Sequence, residues 1–209
     1  MDSRRAESFS DGVFAVAITI LVFNLLTIGN SKTSALTWDT LAASWPSYLA
    51  YVVSFVTIGI MWLNHHGMLA QVRLVDRPLL VLNLALLLGI VALPFPTALV
   101  AEHLTGTQPP GADVAVVVYG INLIVISAVF GSTWLYVARH ARGLGGSSQV
   151  RIVSWSTLRF TAGNFAYIAG TLIAAFVSPI AGLVIFGIVG VYYIFEHLPA
   201  AGDAGDAGG

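Results

Sequence analysis

Arg5-Ala-Glu-Ser-Phe9-Ser10-Asp11-Gly-Val-Phe-Ala-Val16-Ala-Ile-Thr19-Ile20-Leu-Val-Phe23-Asn-Leu-Leu runs from a charged cluster directly into an unbroken apolar segment. A helix needs about 20 mostly apolar residues to cross a hydrocarbon core roughly 30 Å thick, and Ser10 to Ile28 meets that length. Five further stretches do the same or nearly so: Pro46 to Leu69, Pro78 to Ala101, Asp113 to Ala138, Leu158 to Val177 and Ile180 to Phe195. The first is too long and continuous for a signal-peptide core and reads as a retained span. Of 209 residues, 57% are hydrophobic and 9% charged, whereas a soluble domain carries about a quarter charged residues. The sequence therefore predicts an all-α integral membrane protein of six transmembrane helices embedded in the lipid bilayer.

The few charges set the expected orientation. Arg4 and Arg5 precede the first stretch, Arg73 and Arg77 separate the second from the third, and Arg139, Arg142, Arg151 and Arg159 separate the fourth from the fifth. Lys32 is the one basic residue in the alternate connections. Cytoplasmic loops retain positive charge, so both termini are expected in the cytoplasm. Residues 1–199 read as one six-helix domain and 200–209, made of Ala, Gly and Asp, as a disordered tail. A net charge of −1 argues against nucleic acid as a partner. The absence of Cys removes disulfides, thiolate metal sites and cysteine nucleophiles.

Three clusters carry possible chemistry. Ser10 and Asp11 stand where the first apolar run begins; an ionisable residue there is a functional candidate, but both types also suit a helix start. Beyond them Val16, Thr19, Ile20 and Phe23 share one helical face, which can meet lipid, another helix or a narrow pore. Trp62, Asn64, His65 and His66 close the second stretch on the same side of the membrane as Arg5 and Asp11, with Asn83 near that depth. They read as an interhelical polar network. Adjacent His side chains diverge by about 100° on a helix and cannot both hold one ion from one turn, so no metal or cofactor is expected. A stripe of Ala162, Ala166, Gly170, Ala174 and Ser178 predicts close helix packing. Pro94 and Pro96 should kink or break the third span.

Arg5-x-x-x-Phe9-Ser10-Asp11-Gly, Trp62-x-x-His65-His66, Asn83 and Leu93-Pro-Phe-Pro-Thr97 resemble the transmembrane protein 175 family of potassium channels, in its prokaryotic single-repeat branch. The resemblance covers the first three spans by motif and the last three by hydropathy. It implies a homotetramer in the bacterial plasma membrane, with the first helix of each subunit lining the pore and no enzymatic activity. It places Val16, Thr19, Ile20 and Phe23 at an apolar constriction passing potassium ions, in place of a carbonyl filter. Val16 is smaller and Phe23 bulkier than the residues usual at those positions. The resemblance also implies that Phe9, Ser10 and Asp11 bind the first helix to the next two through Trp62, His65, His66 and Asn83. The alternative is a proton-coupled secondary transporter in which Asp11, His65 and His66 titrate; a haem protein or membrane enzyme using the His pair is more remote. Eight Arg near the cytoplasmic side disfavour a cation unless Glu7, Asp11 and Asp76 lie nearer the mouth.

Overall fold

The computed structural model describes residues 2–27, 37–104, 110–140, 143–144 and 153–195. Lys32, the 105–109 connection, Arg142, most of the 143–148 linker, Arg151 and the tail 200–209 lie outside the described residues. Within them every named element is a helix: α1 Ser3–Ile20, continued by a 3-10 segment Leu21–Thr27, then α2 Trp38–Ala43, α3 Trp45–Leu69, α4 Arg77–Ala92, α5 Pro94–His103, α6 Ala112–His140, α7 Val153–Phe176 and α8 Pro179–Phe195. The apolar stretches of the sequence coincide with α1 and its extension, α3, α4 with α5, α6, α7 and α8.

Four continuous helical runs are long and apolar enough to cross a membrane: Ser3–Leu26, Trp45–Leu69, Arg77–His103 and Ala112–His140. The fifth and sixth stretches form shorter apolar helices among the described residues, Gly163–Phe176 and Pro179–Tyr193. The expected interruption is present as a kink: α4 ends at Ala92 and α5 starts at Pro94, with Leu93 between them still in helical conformation, where two prolines supply no backbone donor. The short helix α2 was not expected; Thr37 opens it with a reciprocal capping box to Thr40.

The start of α1 corrects the sequence reading. Asp2 is the N-cap, accepting from the Arg4 amide at 3.1 Å, so Ser10 and Asp11 lie well inside the helix. The apolar run starts inside the helix, which begins about two turns earlier with a polar outer face. Three backbone bonds fasten this end: Ser3 N–H donates to Arg73 O at 3.1 Å, and Arg73 and Leu74 both donate to Leu144 O at 3.0 and 3.1 Å. The start of α1, the α3–α4 connection and the end of α6 therefore gather together, bringing Arg4, Arg5, Arg73, Arg77 and Arg139 to one end of the bundle. Asp76 caps α4 there, accepting from Leu79 N–H at 3.1 Å and Tyr136 Oη at 2.5 Å. Burial pushes its carboxyl upward, but these hydrogen bonds outweigh that and hold it below its ordinary value.

Helix α3 packs on α1, α5 and α8, while α6 packs on α4, α5, α7 and α8. Between them Ser54 Oγ lies 2.7 Å from Thr97 Oγ1 and 2.9 Å from Tyr119 Oη, all three fully buried. An apolar surrounding leaves these hydroxyls no water, so each must find the other. The small-residue stripe behaves as packing where it is described. A Cβ built on Gly182 of α8 would lie 2.6 Å from Ala174 Cβ and 2.8 Å from Gly170 O of α7. The Gly182→Ala variant should therefore lose about 1–3 kcal/mol from forced separation of the two helices, seen as a lower thermal midpoint in detergent.

Candidate functional site

Helix α1 has two unlike faces. Ala6, Ser10, Phe14, Ala17 and Leu21 are buried against α3 and α4. On the other side Val16 is 56% exposed, Ile20 40% and Phe23 60%, with Thr19 also exposed. These four candidate pore residues thus stand together on a face that no other described part of the chain covers. The change to 3-10 geometry after Ile20 alters their continuation. Three residues per turn bring Ile20, Phe23 and Leu26 into line, so exposed Leu26 extends the stripe where α-helical spacing would have carried it aside. The Thr19 hydroxyl turns back to Val16 O at 2.9 Å. Asn24 leaves the stripe and donates to Pro94 O at 3.1 Å, tying the extension to the proline break.

Behind the stripe lies a polar seam. Ser10 Oγ donates to Ala6 O at 2.8 Å and accepts from Asn83 Nδ2 at 3.0 Å, while Asn83 Oδ1 accepts from His65 Nε2 at 2.7 Å. One side chain from each of α1, α3 and α4 therefore meets in a site where Ser10 and His65 are wholly buried. The ring of Phe14 lies 5.5 Å from that of His65 and screens it from the exposed face. The His65 Nδ1 atom has no hydrogen-bond partner among the described residues. Nearer the surface Trp62 Nε1 donates to Asp11 at 2.8 Å, and His66 Nδ1 lies 2.6 Å from Glu7 Oε1.

The candidate network thus divides. Ser10, His65 and Asn83 form the buried part; Asp11, Trp62 and His66 form an outer edge. Asp11 takes Trp62 as its described hydrogen-bond partner rather than His65 or Asn83. Asn64 does not join them: it faces the other way, beside Thr57, Ser127, Tyr167 and Tyr193, because one residue before His65 is a turn of about 100°. Arg5 and Phe9 lie on the exposed side of α1. Glu7 is the residue that sequence reasoning undervalued, although its i, i+4 spacing from Asp11 marks it as sharing the same edge. Among the described residues no group of three His, Cys, Asp or Glu could hold a metal ion.

Comparison with known proteins adds three findings. The family described as endosomal/lysosomal potassium channel TMEM175 matches residues 5–94. A Streptomyces collinus protein named as a potassium channel is 38% identical over 198 residues, covering 95% of this chain and 94% of the relative. A crystal structure of a TMEM175 homologue from Chamaesiphon minutus, titled a lysosomal potassium-selective channel, superposes with a TM-score of 0.74 at 30% identity, covering 93% of this chain and 97% of that one.

The seam makes its own quantitative forecast. Replacing Asn83 by Leu strands the buried His65 Nε2 and removes the donor to Ser10, at about 1–3 kcal/mol for each unsatisfied group. Asp11→Ala removes one bond on a half-exposed edge and should cost about 1 kcal/mol. Thermal unfolding of the two variants should rank Asn83→Leu clearly below Asp11→Ala; equal losses would mean that Asp11 carries the junction.

Proposed function

The chain belongs to the TMEM175 family of ion channels, and on that premise we propose that it is a potassium-favouring cation channel whose conducting path is walled by α1 from four copies. The observation that carries this reading is the uncovered apolar stripe of Val16, Thr19, Ile20 and Phe23, backed by a helix face fixed to α3 and α4. Relatives from Streptomyces collinus and Chamaesiphon minutus are named potassium channels, and their bacterial source supports the plasma membrane as the site of action. The family is one of channels, so the chain is not an enzyme.

Four apolar faces about an axis form a hydrophobic neck. A narrow neck expels water and closes without a plug; a slightly wider one admits the ion that gives up hydration most readily. Potassium holds its water less tightly than sodium, so dehydration itself supplies a preference. Small Val16 and bulky Phe23 place the tightest ring toward the Ile20–Phe23 end rather than at Val16. Glu7 and Asp11 engage α3 and do not line the stripe, so the neck discriminates by dehydration cost rather than by a ring of carboxylates. The proton-coupled carrier has less support, because Asp11 and His65 are held by Trp62 and Asn83.

The gathering of Arg4, Arg5, Arg73, Arg77 and Arg139 at one end supports a six-span arrangement with both termini on the cytoplasmic side. Epitopes placed before Ser3 and at Gly143 should be accessible from the same, cytoplasmic side.

Liposome flux with potassium and sodium tests the pore wall. Val16→Asn and Ile20→Asn should hydrate the neck, raise leak several-fold and erode discrimination against sodium. Unchanged conductance and selectivity in both would remove α1 from the conducting path.

A further inference from the structure

Helix α3 is polar on a second side, away from the seam. Ser54, Thr57, Met61 and Asn64 recur at steps of three and four residues and so share one face. Ser54 meets Thr97 and Tyr119, while Thr57 and Asn64 look into a small cavity inside the bundle. Its other polar walls are Ser127 of α6, Tyr167 of α7 and Tyr193 of α8. Ile60 and Met61 close it on the α3 side, and Gly190 of α8 contributes no side chain to fill it. Asn64 immediately precedes His65, so cavity and seam lie at one level on different sides of the same helix.

The hydrogen bonds around this cavity do not close among themselves. Thr57 Oγ1 donates to Val53 O at 2.8 Å and keeps a lone pair that can accept. Ser127 is 3% exposed and Tyr167 2%, yet neither hydroxyl, nor the Asn64 amide, has a hydrogen-bond partner among the described residues. Tyr193 brings one more hydroxyl from α8, set against α7 where a Cβ on Gly163 would collide with it. A polar group buried in an apolar bundle without a partner is costly, and here three such groups from three helices converge on one space.

The chemistry of the walls selects the occupant. None of the lining residues carries a charge, so nothing would offset a cation stripped of its hydration shell. Both donors and acceptors are on offer, which suits a molecule able to do both. The cavity of about 10 Å³ has room for a single water, which needs about two to four polar partners to stay. We infer that one resident water occupies it and joins α3, α6 and α7 through Asn64, Ser127 and Tyr167. That water holds the back of α3 to the supporting helices at the level where the seam holds its front. It also gives Asn64 a place in the structure, which the seam itself does not.

The test is an experimental structure of the full chain at a resolution that shows solvent, obtained in potassium and again with thallium replacing potassium. One peak is expected within about 3.2 Å of Asn64 and of the Ser127 and Tyr167 hydroxyls, with no anomalous signal from thallium. A thallium peak would make this a cation site, and a cavity without density would leave it dry; either overturns the water. So does a Tyr167 hydroxyl that donates directly to Asn164 Oδ1, a buried acceptor one turn earlier on α7 without a partner among the described residues. Thermal midpoints in detergent give an independent reading. Asn64→Leu and Tyr167→Phe should each lower the midpoint by roughly 2–4 °C. Together they should lower it by clearly less than the sum, because the first change already costs the shared water its place. Strictly additive losses overturn the bridge. If Asn64→Leu fails to assemble, Ser127→Ala takes its place beside Tyr167→Phe, with the same expectation.

Discussion

Three hydrogen-bonding side chains, Ser10, Asn83 and His65, meet where water does not reach, and the placement of α1 depends on them. Hydrocarbon offers apolar helices no hydrophobic reason to prefer one rotation over another, because lipid tails are as apolar as the helix faces themselves. A buried polar group removes that freedom, since any rotation that separates it from its partner leaves a donor or acceptor unsatisfied in a medium of low dielectric. The seam therefore fixes not only that α1 lies on α3 and α4 but which of its faces lies there. The opposite face is left uncovered by the described residues.

Everything proposed for conduction follows from that division. A stripe of Val16, Thr19, Ile20 and Phe23 would mean little on a helix free to turn. On one whose back is bolted through Ser10 and whose extension is tied by Asn24 to Pro94, the stripe has a defined direction. The 3-10 segment serves the same end, since its tighter turn keeps Phe23 and Leu26 in line with Ile20. The proline break between α4 and α5 takes part as well, because the carbonyl of Pro94 is the acceptor to which Asn24 anchors.

The remaining helices form a support built on the same rule. Ser54, Thr97 and Tyr119 link α3, α5 and α6 with buried hydroxyls, and Gly170 and Gly182 let α7 and α8 touch nearly backbone to backbone. This leaves α3 held on one side by the support and on the other by the seam, so it is the element across which movement of α1 is resisted. The outer pairs of Glu7 with His66 and Asp11 with Trp62 lie at that same boundary, on the exposed edge of the seam.

Length and hydropathy determined the helical class and the position of the long spans, because crossing hydrocarbon without water requires every backbone group to be bonded within its own helix, and the spacing of the arginines among the connections determined their gathering at one end. The proline break was equally legible, since a missing N–H is a property of the residue itself. The shared face of Val16, Thr19, Ile20 and Phe23 could be read from spacing, and the motif around Ser10 and Asp11 pointed to the family. Spacing could not say which face of α1 is covered, that Ser10 rather than Asp11 enters the buried seam, that Asn64 turns away from His65 and His66, or that Glu7 reaches His66. These are outcomes of how helices distant in sequence rotate against one another, and among nearly uniform apolar faces that rotation is set by which few polar atoms find partners once the helices are together.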